Sequence, residues 1–270
     1  MKTDILRSYY RYHEERCFLK TEDVRDSWDT SAEAWVDFVR TGKDVTRDGL
    51  NNPAMFNLIG DVAGLRVLDV ACGEGTNTRL LAEKGADVTG VDFSSKLIQA
   101  AVEEEERATL GIRYHVRDIT HLAEFSDEYY DLACCFMALQ DVENYRKAVS
   151  EIARVLNTHG RFVFSIPHPC FEKISVNGMR IAASERYFEE TKYELNWNME
   201  RLTIPFRTIS FHRTLTDYFA ALNAAGLAVS RLLEPRLPAE AVQRTPLLES
   251  VLKRPQSVII EAFKNVSRRG

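Results

Sequence analysis

The sequence has no apolar stretch long enough to cross a lipid bilayer. Its longest uninterrupted apolar run is Leu132–Leu139, whereas a membrane-spanning helix needs roughly 18 to 20 such residues. The first residues, Met1–Tyr12, are polar and contain no apolar signal core. We therefore expect neither export nor membrane anchoring.

Cysteine is scarce, and its five positions suggest neither a disulfide framework nor a metal site. Cys134 and Cys135 are adjacent within an apolar, strand-like run. No two histidines have the four-residue spacing of a helical metal site, and carboxylates are not clustered with them. The sequence predicts a reduced cytoplasmic protein that binds no metal.

Positive charge is not in excess either. The chain has 35 Lys and Arg against 40 Asp and Glu, a formal net charge of -5, so the broad basic surface of a sequence-independent nucleic-acid binder is missing. The 270 residues are 45% hydrophobic and 28% charged, which allows a full apolar core. This composition favours one soluble globular unit of α/β size.

Strand-like and helix-like segments alternate from Arg66 onward, which is typical of a parallel sheet built from βαβ units. The Pro-rich loop before the last strand has no helix long enough for a parallel crossover, so we expect that strand to be antiparallel. Five helices are predicted, at Ser27–Val39, Asn77–Lys84, Ser95–Thr109, Asn144–Leu156 and Thr214–Ala225. Seven strands are predicted, at Arg66–Val70, Asp87–Val91, Arg113–Val116, Tyr130–Phe136, Arg161–Ile166, Leu227–Leu233 and Ser257–Phe263.

The chain divides into a cap and a larger domain. Residues 1–60 predict an N-terminal helical cap, with a turn at Gly49–Pro53 leading into the domain of residues 61–270. Within that domain, residues 170–211 are aromatic and polar with weak periodicity, so we interpret them as an inserted lid after the fifth strand.

The loop after the first predicted strand indicates a ligand site. Small residues, including Gly73 and Gly75, stand where a strand turns into a helix, and there the backbone can approach a ligand closely. The next strand is followed by Asp92, whose carboxylate could accept hydrogen bonds from both hydroxyls of a ribose. A cofactor containing a nucleoside is therefore predicted.

Two such cofactors compete, and charge separates them. A dinucleotide places its pyrophosphate at the helix N-terminus, but Thr78 stands at the third glycine position of GxGxxG, and Asp69 and Glu74 would lie near the phosphates. S-adenosylmethionine has no phosphate and carries a sulfonium and an ammonium. The acidic residues favour that cation.

The segments LDVACGEG, at 68–75, and GADVTGVDFS, at 85–94, resemble the class I S-adenosylmethionine-dependent methyltransferases. The likeness is to the small-molecule branch with ubiquinone-type and natural-product enzymes, and spans about Trp28–Phe263. It implies a Rossmann-like seven-stranded sheet. The family usually has glycine where Ala71 stands, which is tolerable if the backbone there keeps a negative φ.

The resemblance also implies a role for each residue of the cofactor site. Two alternatives stay open: Phe136 and Met137 could be ordinary core residues, and Asp118 could be a helix cap. The implied roles are Asp69, Ala71, Gly73 and Gly75 around the methionine portion, Asp92 on the ribose, Phe93 along the adenine, Asp118 with Ile119 at the adenine amino group, and Phe136 with Met137 closing the pocket.

Trp28 and Trp35 lie in a segment similar to the YDxxAxxY helix that covers the methionine end in ubiquinone-type relatives. Seven residues apart, they share one helix face, and an indole can attract a sulfonium. Alternatively, both only anchor the helix to the core. Arg40 and Arg47 could pair with the methionine carboxylate, but solvated arginines are common, so we leave them outside the site.

The acceptor side is predicted from position. His168 follows the fifth strand at the ligand-binding edge and could act as a base, or be a loop histidine bonded to backbone. His212 and Arg213 could hold an acidic acceptor, or simply precede the helix that Thr214 caps. Lid aromatics, among them Phe171, Tyr187 and Trp197, indicate a partly apolar acceptor.

The predicted function is methyl transfer from S-adenosyl-L-methionine by direct displacement to a small, partly apolar molecule, with S-adenosyl-L-homocysteine as the other product. Two alternatives stay open. One is methylation of a peptide or RNA, which the acidic charge balance disfavours for RNA. The other is a non-catalytic module that binds the cofactor.

Overall fold

A computed structural model describes residues 21–176, 179–197, 206–237 and 252–265. Within these ranges the chain forms one large mixed sheet with helices on both faces, and two small hairpins. The α-helices are α1 (Thr21–Arg40), α2 (Asn52–Ile59), α3 (Thr76–Glu83), α4 (Ser95–Arg107), α5 (Tyr145–Val155) and α6 (Leu215–Ala224). No described helix is both long and apolar enough to span a membrane.

The large sheet has seven strands in the order β10-β11-β5-β4-β1-β2-β3. These are β1 (Arg66–Val70), β2 (Asp87–Asp92), β3 (Arg113–Val116), β4 (Tyr130–Phe136), β5 (Leu156–Pro167), β10 (Leu227–Leu233) and β11 (Ser257–Lys264). The first five are parallel to their neighbours, whereas β11 is antiparallel to both β5 and β10. The predicted seven-stranded sheet with an antiparallel last strand is confirmed.

Alternating side chains of the strands enter two different cores, which explains why both faces carry helices. Leu68 and Val70 of β1 pack in a core with residues of α5 and α6. Val67 instead packs with Met55 of α2 and Leu81 of α3. Strands buried on both faces are expected of a parallel sheet, and they keep the carboxyl ends of β1, β2 and β4 in fixed positions.

Two local predictions are wrong. Gly49–Pro53 is not a turn but lies in a continuous helical stretch formed by the π-helical Arg47–Asn51 and α2, because proline fits the first turn of a helix. The fifth strand, predicted at Arg161–Ile166, begins earlier and spans Leu156–Pro167. Asn157–Gly160 lies within it, at an irregularity between the pairs Tyr130–Leu156 and Leu132–Arg161.

The segment after β5 is more regular than its sequence indicates. Lys173–Val176 (β6) pairs with Met179–Ala182 (β7), and Thr191–Trp197 (β8) pairs with Phe206–His212 (β9), each as an antiparallel hairpin. Ser27 and Ser31 of α1 donate hydrogen bonds to the carbonyl of Arg207 in β9. The N-terminal helix and the second hairpin therefore form one cover.

Candidate active site

A cavity of about 740 Å³ opens at the carboxyl ends of the parallel strands, under the cover formed by α1 and β9. Its size suits a bound small molecule. Eleven of the twelve residues predicted to bind the cofactor line it, all except Gly75: Trp28, Trp35, Asp69, Ala71, Gly73, Asp92, Phe93, Asp118, Ile119, Phe136 and Met137.

Asp69 brings an unsatisfied carboxylate oxygen to this cavity. Its side chain is almost fully buried. Oδ2 accepts a hydrogen bond of 2.7 Å from the Thr78 hydroxyl, whereas Oδ1 is buried and has no partner among the described residues. Burial raises the pKa of Asp69 to about 7. A cationic group in the cavity would supply the missing partner and favour the ionised carboxylate.

Asp92 is held by the backbone on both sides. Its Oδ2 accepts from the N–H of Gly73 at 2.9 Å, and its Oδ1 accepts from the N–H of Ser94 at 2.8 Å. Burial raises its pKa to about 6 although these bonds oppose the shift. Since each carboxylate oxygen has two lone pairs, Asp92 can take a pair of ligand hydroxyls while keeping both backbone donors.

Ala71 does not keep the negative φ on which its tolerance was expected to depend. Its φ is 55°, in the left-handed region that costs a non-glycine residue about 1–2 kcal/mol. The loop therefore stores backbone strain beside the cavity, at the position where glycine is usual in the resembled family.

Ala71→Gly is expected to raise the free energy of unfolding by about 0.5–1 kcal/mol, since relief of the strain exceeds the added entropy of the unfolded chain. Urea denaturation measures it. The matched control is Ala138→Gly, whose native φ of -131° gives no strain to relieve, so this change should lower stability. A loss of stability in both variants would contradict the strained conformation.

The two glycines of the loop serve different purposes. Gly73 lies under α1: a Cβ at this position would be 3.8 Å from Nε1 of Trp35. Gly75 does not line the cavity. It starts α3 with φ of 85°, and a Cβ there would lie 2.5 Å from the Tyr114 hydroxyl. Packing inside the fold, rather than approach to a ligand, explains Gly75.

Asp118 and Phe136 line the cavity and also contact neighbouring residues of the protein. Asp118 lines it and also accepts hydrogen bonds at Oδ1 from the N–H and the hydroxyl of Thr120. Phe136 lines it and also packs against Phe56, with ring centroids 5.5 Å apart. No helix follows Asp118, which bonds within a turn, so the helix-cap alternative is wrong, whereas core packing of Phe136 is compatible with cavity contact.

The two indoles of α1 lie together over the cavity. Trp28 and Trp35 meet edge to face with centroids 5.4 Å apart, and Trp35 also meets Phe206 of β9 at 5.9 Å. Trp28 packs in a small cluster with Phe93, Val24 and residues of β9. Aromatic edges and faces thus form the apolar part of the cover.

His168 lies beside the cavity edge but does not line it. Its ring is almost fully buried, its Nε2 is 2.8 Å from Oε1 of Glu234, and its Nδ1 accepts from the N–H of Cys170. Phe171 packs on the His168 ring at 4.8 Å and is 40% exposed. Both ring nitrogens are therefore engaged within the protein.

The other predicted acceptor residues are also directed into the protein. His212 is fully buried, with Nδ1 2.6 Å from Glu172 and Nε2 3.0 Å from the carbonyl of Tyr187. Burial lowers the pKa of His212, but these hydrogen bonds outweigh it and raise the pKa. Arg213 donates to the carbonyls of Val142 and Glu143. Neither His212 nor Arg213 lines the cavity.

Tyr187 and Trp197 complete the predicted acceptor set. The Tyr187 hydroxyl accepts from the N–H of Leu215, and Tyr187 does not line the cavity. Trp197 is the last residue of β8, and its side chain lies outside the described part of the structure. No sequence feature we used distinguished cavity-lining from internal lid residues.

Several polar residues that the sequence analysis left outside the site line the cavity, among them Arg47, Gln140, Asp141 and Ser210. Arg47 follows α1, lies near Asp69 and is mostly buried, with 12% of its side chain exposed. Gln140 and Asp141 follow β4 at the ligand-binding edge, so the edge rule for parallel sheets could have identified them. Ser210 lies in the inserted hairpin, and no sequence signal marked it.

No cluster of three or more His, Cys, Asp or Glu side chains capable of holding a metal ion occurs within the described ranges. The site chemistry is instead that of buried carboxylates, backbone amides and aromatic rings. Lys43, Arg47 and Arg117 also line the cavity, but Asp69 and Glu74 would face a pyrophosphate bound at the loop after β1, so the site fits a nucleoside with positive charge and no phosphate better than a dinucleotide.

Comparisons with known proteins agree with this chemistry. Residues 68–164 match the family model described as a methyltransferase domain. An S-adenosylmethionine-dependent methyltransferase from Mesorhizobium loti, known from a crystal structure, is 28% identical in sequence to this chain. The two structures align with a TM-score of 0.66 over 78% of this chain and 96% of that one.

Two sequence relatives extend the likeness. An uncharacterized protein of Haemophilus influenzae is 28% identical over 80% of this chain and 87% of its own length. A ubiquinone biosynthesis O-methyltransferase of Coxiella burnetii is 35% identical, but over only 38% of this chain and 43% of its own length. The similarity to the ubiquinone enzyme is therefore confined to less than half of that protein.

Proposed function

We propose that the chain is a class I S-adenosylmethionine-dependent methyltransferase that methylates a small, partly apolar molecule by direct displacement within the cavity under α1 and β9; the match of residues 68–164 to a methyltransferase domain and the 28% identity to the Mesorhizobium loti enzyme support it. The observation that carries this proposal is the buried, unpartnered Oδ1 of Asp69 at a cavity covered by aromatic side chains. Such an oxygen fits the ammonium of the cofactor's methionine portion.

Different residues of the chain would bind different parts of the cofactor. Asp69 holds the ammonium, Arg47 pairs with the methionine carboxylate, and Asp92 accepts from the ribose hydroxyls while Phe93, Asp118 and Ile119 surround the base. When bound, S-adenosylmethionine supplies an electrophilic methyl group on a sulfonium. The protein's task is then to orient the acceptor and exclude water, which the cover of α1 and β9 performs.

The acceptor is small in this proposal because the cavity is covered. α1 is joined to β9 by two serine hydrogen bonds, and β9 is joined to the segment after β4 by the bond from Ser210 to Asp141. A peptide or RNA strand could enter only if both of these hydrogen-bonded connections were broken. The likeness to a ubiquinone biosynthesis O-methyltransferase supports an acceptor with apolar parts.

Direct displacement needs no covalent intermediate, so no nucleophilic side chain is required. The ring nitrogens of His168 and His212 are all hydrogen-bonded to other groups of the protein. We therefore assign them to holding the loop after β5 and the inserted hairpins in place. A cytoplasmic location is part of the proposal, supported by four free cysteines in the described ranges.

Cofactor affinity is expected to fall as pH falls through about 7. The pKa of Asp69 is about 7 because of burial, so lower pH neutralises the carboxylate that the ammonium needs, at up to about tenfold per pH unit. Calorimetric titration of S-adenosylmethionine at pH 8 and pH 6, in two buffers of different ionisation enthalpy, would detect weaker binding and proton release at pH 6.

The control for this pH effect is Asp69→Asn, which should bind more weakly at pH 8 and lose most of the dependence between pH 6 and pH 8. Asp92, with a pKa raised to about 6 by burial, adds a further loss below pH 6. Affinity that rises on acidification would contradict the role of Asp69.

The function itself is tested by incubating the purified protein and methyl-labelled S-adenosylmethionine with a cell extract. We expect label in one small-molecule species identified by mass spectrometry. Label in the high-mass fraction would favour a peptide or RNA substrate. No transfer in spite of tight cofactor binding would favour a non-catalytic binding module.

A further inference from the structure

The segment after β4 places two buried acceptor groups at the cavity. Gln140 is 8% exposed and Asp141 is 9% exposed, and both line the cavity. Nε2 of Gln140 donates to the carbonyl of Met137 at 2.6 Å. Its Oε1 is buried and has no hydrogen-bond partner among the described residues, so it lacks the donor that a buried carbonyl oxygen requires.

Asp141 is fixed from the opposite side of the cavity. Its Oδ1 accepts a hydrogen bond of 2.5 Å from Ser210 of β9, which is itself 2% exposed. Ser210 has one hydroxyl hydrogen and uses it in this bond, so it orients the carboxylate without neutralising it. The carboxylate thus stands between β4 and β9, where a molecule under the cover would lie.

Other charged and titratable groups also act on Asp141. The Gln140 side chain hydrogen-bonds to it, Arg213 attracts it and Glu172 repels it, and Asp141 in turn raises the pKa values of Cys135 and Tyr193. Arg213 donates through Nη2 to the carbonyls of Val142 and Glu143 and through Nε to Glu190, whereas its buried Nη1 has no hydrogen-bond partner among the described residues. Burial raises the pKa of Asp141 to about 7, so its carboxyl can take up and release a proton near neutral pH.

We propose that Gln140 and Asp141 form the acceptor subsite and select a methyl acceptor whose nucleophilic atom carries a hydrogen, either a hydroxyl or an N–H group. This inference rests on the proposed methyltransferase function. Both residues offer oxygen atoms that only a donor can satisfy. A thioether or a tertiary amine would leave Oε1 of Gln140 without a donor in a buried place, at a cost in binding.

The transfer step balances with Asp141 as proton acceptor. The lone pair of the acceptor's oxygen or nitrogen forms the bond to the methyl carbon, and the carbon–sulfur bond breaks with its electron pair left on sulfur. The hydrogen of the acceptor leaves as a proton to an oxygen of Asp141, from which it passes to solvent when the cover opens.

Matched small probes test this selection without knowledge of the natural acceptor. Phenol and anisole differ only in the methylated oxygen, and aniline and N,N-dimethylaniline only in the methylated nitrogen. Because the subsite must also hold a methylated product, the extra methyl groups are not excluded by size. Binding of each probe to the full chain, with saturating S-adenosylhomocysteine, is measured by saturation-transfer NMR titration.

We expect phenol and aniline to bind at least fivefold more tightly than their methylated partners. Asp141→Asn should reduce that preference to less than twofold, and Gln140→Leu should weaken both protic probes. Glu143→Gln is the matched control: it removes a carboxylate from the same segment, and the preference should persist. The comparison of protic and methylated probes in the wild-type protein remains informative even if a variant does not fold.

Two outcomes overturn the inference: equal binding of protic and methylated probes, or no binding of any probe, in samples that bind S-adenosylhomocysteine. A preference that survives Asp141→Asn unchanged overturns the part assigned to Asp141. Failure of S-adenosylhomocysteine to bind in the same samples would instead overturn the proposed function, so the two failures are distinguishable.

Discussion

Asp92→Ala is expected to weaken S-adenosylmethionine binding by about 1.5–3 kcal/mol, the range for hydrogen bonds to a charged group. This corresponds to roughly 10- to 150-fold in Kd. The variant loses the acceptors for the ribose hydroxyls and also the bond from the Gly73 N–H that holds the loop after β1. Isothermal titration calorimetry with the purified protein measures the change.

The control lies at the other end of the same strand. Asp87 begins β2 and pairs with Arg113 at a position that is 46% exposed, far along the strand from the cavity edge. Asp87→Ala should leave the cofactor Kd within about twofold, because exposed ion pairs contribute little. Equal losses for the two variants would show that Asp92 acts through the strand and not on the ligand.

Gly75→Ala is expected to lower the free energy of unfolding by about 2–5 kcal/mol. The left-handed φ of 85° costs about 1–2 kcal/mol for alanine. Contact of the new Cβ with the Tyr114 hydroxyl at 2.5 Å and with the Ala101 Cβ at 3.0 Å adds about 1–3 kcal/mol of overpacking. Chemical denaturation followed by circular dichroism gives the difference.

A second glycine separates the two contributions. Gly111 also has a positive φ, 81°, but a Cβ there would meet nothing within 4 Å. Gly111→Ala should therefore cost only the conformational share, about 1 kcal/mol. Tyr114→Phe in the Gly75→Ala background should restore part of the lost stability. If both glycine variants lose the same amount, the packing explanation of Gly75 is wrong.

The sheet was predictable because its signals are local. The predicted bounds of β1, β3, β4 and β10 match the structure, since each is a short run containing β-branched, aromatic or other apolar residues between polar or turn-forming residues. Most of the cofactor residues were predictable for a related reason: they lie at the carboxyl end of a strand or a few positions beyond it, and parallel strands bring those ends to one edge.

The acceptor side was less predictable because its contacts are not local. His168 bonds Glu234, 66 residues further along the chain, and His212 bonds Glu172, 40 residues earlier. A histidine beside a ligand-binding edge looks the same in sequence whether its partner is a substrate or a distant glutamate. The hairpins β6–β7 and β8–β9 were missed although Tyr193, Leu195 and Trp197 of β8 alternate with polar residues, which is the pattern of a strand with one buried face.

The partner of the buried Asp69 carboxylate is the point on which the whole account depends, and one calorimetric comparison addresses it. S-adenosylmethionine and NAD⁺ are titrated separately into the same protein at pH 8. We expect saturable one-to-one binding of S-adenosylmethionine and no detectable heat from the dinucleotide. Binding of NAD⁺ together with no detectable binding of S-adenosylmethionine would contradict the assignment of a cationic, phosphate-free ligand to Asp69.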